Sequence, residues 1–187
     1  GPAKESIPTL THRLKECSDI ENEEGSVYLP EFSLSFRVLD IPGHTSGHIA
    51  YYGANMLFCG DTLFGCGCGR LFEGTARQMV DSLEKLADLP KDTLIYCGHE
   101  YTLSNIRFAR TIEPGNQALA KREVEAEELR NEGLPTLPST IALEKATNPF
   151  LRCTEAEIIA SASSHAGKPL NDRVSVFAAI REWKNHF

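Results

Sequence analysis

The stretch Met56-Leu57-Phe58-Cys59-Gly60-Asp61-Thr62 is a short apolar run that ends in a glycine and an aspartate. Its β-rich residues predict a strand, and the glycine lets the backbone and the following carboxylate approach a ligand closely. Two other apolar runs are followed by the same kind of segment, Gly43-His44-Thr45-Ser46-Gly47-His48 and Gly98-His99-Glu100. This recurrence predicts a sheet with polar side chains at the ends of successive strands.

Residues 35–100 predict short strands around one helix, which indicates layered α and β packing. The predicted strands are 36–41, 49–52, 56–59 and 94–97. The helix begins at a capping box formed by Thr75 and Gln78, and an apolar stripe follows it.

From residue 103 onward the apolar spacing becomes helical. The predicted helices are 103–112, 116–131 and 140–146. A further helix is predicted from a capping box of Thr154 and Glu157, and a last one from Asp172 as its N-cap.

The composition is that of an ordinary globular chain. Of 187 residues, 41% are apolar and 24% charged, and no apolar run approaches the roughly 20 residues of a membrane span. A formal net charge of -7 argues against nucleic acid or a membrane as a partner. The six cysteines lack the regular spacing of secreted disulfide frameworks, so we expect reduced thiols and a cytoplasmic location.

Candidate metal ligands lie in the three polar segments. His and Asp side chains suit Zn, Fe or Mn. A single histidine more often bonds a turn or a buried carbonyl, but three glycine-flanked segments at strand ends favour a metal site. The residue types alone leave open whether His44 or His48 is the ligand. Cys66-Gly67-Cys68 is a weaker candidate, and we expect its thiols to fill space.

Several motifs of the chain resemble the glyoxalase II family, the hydroxyacylglutathione hydrolases. The motifs are 42–48, 58–64, 67–75 and 96–102, with 113–116, 138–140 and 148–150 further along the chain. The resemblance implies an α/β fold: a partial metallo-β-lactamase αββα sandwich over residues 1–109, followed by a helical substrate-binding domain over 110–187.

The resemblance implies roles for three of the strand-end residues. His44 resembles the ligand of one metal, His99 that of a second metal, and Asp61 the carboxylate that bridges both, while His48 supports the turn. Two divalent ions are expected, most simply Zn, with Fe or Mn as alternatives. In that family a hydroxide held between the metals attacks the thioester of S-D-lactoylglutathione, which releases D-lactate and glutathione and completes methylglyoxal detoxification.

The resemblance also implies a binding site for glutathione. Arg181 and Lys184 resemble the clamp on its glycine carboxylate, although without the family they would suggest a solvated helix face. Arg70, Tyr101 and Asn105 resemble residues that contact the peptide. Phe72 is expected to offer its backbone N–H beside that of Arg70.

The His-x-His-x-Asp-His motif of that family does not occur in these 187 residues. Because that motif supplies four ligands, we expect weak metal binding and impaired activity. The chain starts at Gly1-Pro2, a protease scar or native sequence, and we expect that preceding residues have been truncated or not included. Alternatively, a second copy covers the incomplete sheet.

Two other functions remain alternatives. The chain could be another hydrolase of the metallo-β-lactamase fold or a sulfur dioxygenase, but neither explains the helical tail with its two cations. It could also be a non-catalytic fragment that binds glutathione conjugates.

Overall fold

The chain folds into a mixed sheet flanked by helices, in a computed structural model that describes residues 1–17 and 25–187. Within these ranges the strands form one six-stranded sheet and one two-stranded hairpin. The strands are β1 (Ser26–Leu29), β2 (Leu34–Asp40), β3 (Ile49–Gly53), β4 (Met56–Gly60), β5 (Leu63–Phe64), β6 (Gly67–Cys68), β7 (Leu94–Cys97) and β8 (Ser139–Thr140).

The large sheet has the strand order β1-β2-β3-β4-β7-β8, and β5 pairs with β6. The β4–β7 pair is parallel, whereas the other pairs are antiparallel. Consequently β2, β4 and β7 all run in the same direction, and their C-terminal ends lie at one edge. All four predicted strands are present. The strand predicted to start at Phe36 begins at Leu34, because Leu34 pairs with Leu29 of a strand that was not predicted.

The helices are concentrated in the second half of the chain. Those in the described ranges are α1 (Ala76–Ala87), α2 (Thr102–Ile112), α3 (Gln117–Asn131), α4 (Ile141–Thr147), α5 (Ala156–Ala166) and α6 (Arg173–Asn185). None of the helices in the described residues is both long enough and apolar enough to cross a membrane.

The helix caps confirm two of the three capping predictions. Thr75 and Gln78 form the reciprocal capping box of α1, and Asp172 accepts a hydrogen bond from the Ser175 N–H at the start of α6. The predicted capping box of Thr154 and Glu157 is wrong. The N-cap of α5 is the next residue, and it makes no side-chain cap bond. The Glu157 carboxylate instead accepts from the backbone N–H of Gly115 at 3.0 Å, so a tertiary contact replaces the local one.

One face of the sheet forms the main core with α1. Met79 and Leu83 of the helix are buried with Leu57 and Ile95 of the central strands. The same core continues into the last helices through residues such as Phe177. The sheet and the helical part of the chain therefore share one apolar core.

The opposite face of the sheet carries a row of side chains that we call the aromatic row: Val38, Tyr51, Phe58 and Tyr96. They lie opposite one another in register across β2, β3, β4 and β7. Leu14 packs on the Val38 end, whereas Phe58 stays 39% exposed. The row is therefore covered only in part by the described residues.

The β5–β6 hairpin is held by buried polar groups from the helical part of the chain. The Glu144 carboxylate accepts from the Cys66 N–H at 2.8 Å, and Arg122 donates to the same carboxylate at 2.5 Å. Asn148 donates its side-chain amide to the Gly67 carbonyl at 2.9 Å. Such a satisfied buried network fixes the conformation of the hairpin, because breaking one partner would leave others unpaired.

Candidate metal centre and substrate cavity

Three predicted metal ligands meet at the edge where the parallel-running strands end. His44 follows β2, Asp61 follows β4 and His99 follows β7. The Oδ2 atom of Asp61 lies 3.5 Å from Nε2 of His44 and 3.5 Å from Nε2 of His99. The strand directions bring one carboxylate between two imidazoles that are more than fifty residues apart in sequence.

The spacing of these donors fits divalent ions only in part. Two ligands of one tetrahedral ion, with bonds of about 2.1 Å, stand about 3.4 Å apart, close to each His–Asp separation here. However, no group of three or more His, Cys, Asp or Glu side chains in residues 1–17 and 25–187 forms a metal cage. The two findings agree if each ion receives one imidazole and the shared carboxylate. The described residues therefore supply some donors for a divalent ion but no complete set of ligands.

A backbone carbonyl orients the ring of His44. Its Nδ1 lies 2.9 Å from the carbonyl oxygen of Arg70, which can only accept a hydrogen bond. Nδ1 of the neutral ring therefore carries the proton, which leaves the lone pair of Nε2 directed at Asp61. A backbone carbonyl behind the ring is the usual way in which proteins orient a metal-binding histidine.

His48 holds the turn that carries Asp61. Its Nε2 accepts a hydrogen bond from the backbone N–H of Asp61 at 3.2 Å. Burial, followed by the nearby His44, lowers the pKa of His48, which keeps the ring neutral and able to accept. A side chain at Gly60 would stand 2.6 Å from the same nitrogen. The sequence left His44 and His48 as alternative metal ligands. Of these two, His48 is the one whose Nε2 already accepts a hydrogen bond from the backbone.

Close packing around Asp61 depends on Gly98. A Cβ atom at that position would lie 2.4 Å from Oδ1 of Asp61, which is shorter than any real contact of this kind. The parallel pairing of β4 and β7 presses the two loops together. A larger residue before His99 would therefore force the carboxylate of Asp61 to move.

All nine predicted site residues line one cavity of about 710 Å³. They are His44, Asp61, Arg70, Phe72, His99, Tyr101, Asn105, Arg181 and Lys184. The metal-ligand candidates lie in strand-end loops, and the last two residues lie on α6. The cavity thus joins the edge of the sheet to the helical part of the chain.

Two cations of α6 lie in apolar surroundings at the cavity wall. The guanidinium of Arg181 is buried, donates to the Cys68 carbonyl at 2.8 Å and lies over the Phe150 ring. The ammonium of Lys184 lies 5.0 Å from the centroid of the Phe108 ring. Burial, with the charge of Arg181 next, lowers the pKa of Lys184 to about 8. These cations are partly dehydrated, which strengthens their attraction for an anionic ligand.

Two polar groups that were predicted to contact the ligand already donate hydrogen bonds within the protein. The backbone N–H of Phe72 donates to the His44 carbonyl at 3.2 Å, so it is not free for a ligand as the sequence led us to expect. Asn105 is buried, and its side-chain amide donates to the Gly65 carbonyl at 2.9 Å. Both residues line the cavity, but these groups hold the loops that form its wall.

Several cavity residues were missed by the sequence reading. They are Phe64, Cys68, Gly69, Ser104, Arg107, Asn185 and Phe187. Tyr101, Ser104 and Arg107 share a spacing of three residues, which places them on one face of a helix. That spacing could have pointed to Ser104 and Arg107 once Tyr101 was a candidate.

The thiols beside the cavity are buried in apolar surroundings. Cys66 and Cys68 are buried, as predicted for space-filling residues. Burial raises the pKa of both thiols, that of Cys66 to about 12. They are therefore protonated at neutral pH, whereas a metal ligand must be a thiolate.

Comparison with known proteins identifies the class and then the family. Residues 12–99 match the model of the metallo-beta-lactamase superfamily, a class that implies divalent metal ions, and this agrees with the observed fold. Residues 100–187 match the model described as hydroxyacylglutathione hydrolase C-terminus.

Three curated relatives named hydroxyacylglutathione hydrolase each match the whole chain. The relative from Nitrosomonas eutropha is 62% identical over 187 residues, which are 71% of its own length. Relatives from Nitrosomonas europaea and Methylobacillus flagellatus are both 60% identical, with 69% and 70% of their lengths covered. The chain belongs to the hydroxyacylglutathione hydrolase family. The predicted fold class and family are thereby confirmed, whereas the boundary at residue 109 and the individual site residues stay predictions.

Proposed function

We propose that this chain hydrolyses the thioester of S-D-lactoylglutathione to D-lactate and glutathione, the step that completes methylglyoxal detoxification. The observation that carries the proposal is the single cavity that contains both the His44–Asp61–His99 cluster and the cations of α6. A thioester of glutathione needs both, because its reacting carbonyl is near the sulfur and its charges are at the ends of the peptide.

His44, Asp61 and His99 would hold two divalent ions, with Zn the first choice and Fe or Mn as alternatives. Such ions lower the pKa of water to about 7, which supplies a nucleophile at neutral pH. The chain's own contribution is orientation. The Arg70 carbonyl sets the ring of His44, and His48 and Gly98 set the position of Asp61.

The cations would orient the peptide part of the substrate. Arg181 and Lys184 would bind the glycine carboxylate, with Arg70 and Tyr101 along the peptide. The planar guanidinium of arginine suits a bidentate contact with a carboxylate. The positive charges of these side chains also offset the net negative charge of the chain. The glutathione thiolate then leaves with little need for a proton donor, because thiols are far more acidic than alcohols.

The proposed function is tested by turnover of two substrates in parallel. S-D-lactoylglutathione and the D-lactoyl thioester of cysteamine, which has no carboxylates, would be assayed by thiol release with added Zn²⁺ or Mn²⁺. Since each ion would receive few ligands from residues 1–17 and 25–187, we expect metal-dependent turnover that is slow and needs excess metal. The glutathione thioester should react faster than the cysteamine thioester by at least about tenfold, the effect of one charged contact.

Equal rates for both thioesters would favour another hydrolase of the same superfamily. Two tightly bound ions with no thioesterase activity would rule out the proposed function. Binding of glutathione conjugates without hydrolysis, even in excess metal, would instead support a binding-only role.

The aromatic row supports the further proposal that a second copy covers this face of the sheet. Phe58 is 39% exposed and stacks on Tyr96, an apolar surface that association would remove from water. Light scattering at micromolar concentration should show a dimer that Phe58→Glu dissociates. A monomer for the parent chain would contradict this proposal and leave the enzymatic one unaffected.

The cysteines support a cytoplasmic location, which we also propose. Cys59, Cys66, Cys68 and Cys153 are buried thiols that form no disulfide. Free buried thiols persist where the surroundings are reducing. Cell fractionation of an organism that expresses the protein would test this location.

A further inference from the structure

Arg107 is a cation of the cavity that the sequence did not suggest. It is exposed on α2, on the same face as Tyr101 and Ser104, and all three line the cavity with Arg181 and Lys184. Within the described residues, no carboxylate lies within salt-bridge distance of its guanidinium. An unpaired arginine that faces a concave site differs from one that extends into bulk solvent, because a bound anion can contact it directly.

Two other arginines in the second half of the chain do have carboxylate partners. Arg110, three residues after Arg107 on the same helix, pairs with Glu123 at 3.2 Å. Arg152 likewise pairs with Glu113 at 2.7 Å. The contrast matters because the chain has 26 acidic and 19 basic residues, so partners are plentiful.

The charge of the cavity is opposite to that of the chain. Arg70, Arg107, Arg181 and Lys184 line it, and among the described lining residues Asp61 has the only acidic side chain. Concave walls of one charge concentrate ligands of the opposite charge. The cavity is therefore suited to a ligand with more than one negative group.

The chemistry of glutathione indicates what Arg107 would bind, if the proposed function is correct. The sulfur lies on the middle residue, so the two carboxylates extend from the metal end as separate arms. Arg181 and Lys184 on α6 would hold the glycine arm. Lys184 lies over the ring of Phe108, the residue after Arg107. Arg107 on α2 therefore lines the same cavity as the cations of α6, but from a different helix. We propose that Arg107 binds the α-carboxylate of the γ-glutamyl arm and thereby selects ligands that carry it.

The proposal is tested by binding of stable thioethers to the full chain. The probes are S-methylglutathione, its γ-glutamyl α-amide and its glycine amide, each of the amides lacking one negative charge. Calorimetry would compare the parent chain with Arg107→Gln and with the control Arg110→Gln, and circular dichroism would check the fold of each. We expect Arg107→Gln to weaken S-methylglutathione about tenfold, the effect of one charge-assisted hydrogen bond. The same variant should bind the γ-glutamyl amide as the parent does.

The outcomes separate this inference from the proposed function. A tenfold loss for S-methylglutathione and for the glycine amide, with none for the γ-glutamyl amide, supports the assignment. An unchanged affinity in Arg107→Gln, an equal loss for all three probes, or a loss spared only by the glycine amide would overturn it while leaving glutathione binding intact. A parent chain that binds none of the probes would overturn the glutathione function itself, and this inference with it.

Discussion

The two ends of the cavity are built by different means. At the metal end, loops after parallel-running strands present His44, Asp61 and His99. The Arg70 carbonyl holds the ring of His44, and the His48 ring accepts from the backbone N–H of Asp61. At the cation end, α2 and α6 present charged side chains that have no carboxylate partners within the described residues. The difference indicates that the first end is organised before its ligand arrives, whereas the second depends on a ligand to balance its charge.

The largest effect is expected at the metal end, where removal of the Asp61 carboxylate should weaken metal binding. Asp61→Asn keeps the shape of the side chain but removes the charge that both imidazoles approach at 3.5 Å. Removing a residue that only hydrogen-bonds to a metal ligand lowers metal affinity about 10- to 100-fold. Removing the ligand Asp61 itself should therefore lower Zn²⁺ affinity by at least about 100-fold. Zn²⁺ titration against a chelator would measure it.

The exposed Asp81 on α1 provides the matched control, and Asp81→Asn should leave Zn²⁺ affinity unchanged. Binding of S-methylglutathione should survive in Asp61→Asn, because its charges contact the other end. If Asp61→Asn lost affinity for both Zn²⁺ and S-methylglutathione, the two ends of the cavity would not act separately.

The cation end should respond next most strongly, to Arg181→Met. This change removes a buried charge and leaves the Cys68 carbonyl without its donor. Hydrogen bonds to charged groups contribute about 2 kcal/mol, so affinity for S-methylglutathione should fall about 30-fold. Arg173→Met, on the same helix but paired with Glu84, should bind as the parent does. Calorimetry that shows equal affinity for both variants would remove Arg181 from the ligand site.

The sequence made the metal end easier to predict than the cation end. Three glycine-flanked segments after β-rich runs indicate converging ligands, since strand direction brings their ends together. Arg107 carries only the weaker signal of its spacing from Tyr101, because a single charged residue on a helix is usually solvated. The bonds of the Phe72 N–H and of Glu157 were also out of reach, since their partners His44 and Gly115 are distant in sequence. Local patterns therefore predict elements and motifs, whereas tertiary contacts decide which polar groups stay free.

A rise in pH should weaken ligand binding at the cation end, by a smaller factor than the substitutions above. The pKa of Lys184 is lowered to about 8, so its ammonium is largely charged at pH 7 and largely neutral at pH 9. Burial raises the pKa of the Cys66 and Cys68 thiols, so these neighbours stay largely neutral over this range. Affinity for S-methylglutathione should therefore fall roughly tenfold as the pH rises from 7 to 9.

Lys184→Arg is the control for this titration, because arginine keeps its charge over the whole range. The ligand's own amine also titrates near pH 9, and comparison of the two proteins cancels its effect. If both lose affinity equally with pH, the loss belongs to the ligand and not to Lys184.

The smallest effect is expected from Thr75→Ala at the start of α1, which lies against the sheet and outside both ends. Thr75 Oγ1 accepts from the Gln78 N–H at 3.2 Å, and the Gln78 side chain accepts from the Thr75 N–H at 2.9 Å. Alanine removes the first bond and keeps the second, so the free energy of unfolding should fall by about 1 kcal/mol or less. Urea unfolding would measure this loss, and Thr75→Ser should restore most of it. Neither Zn²⁺ nor S-methylglutathione affinity should change.

However, the backbone N–H of Gly74, the residue before Thr75, donates to the Gly43 carbonyl at 3.1 Å, directly beside His44. A drop in Zn²⁺ affinity in Thr75→Ala would therefore mean that the helix helps to position the metal end, and the strand-end loops would not be sufficient to organise it.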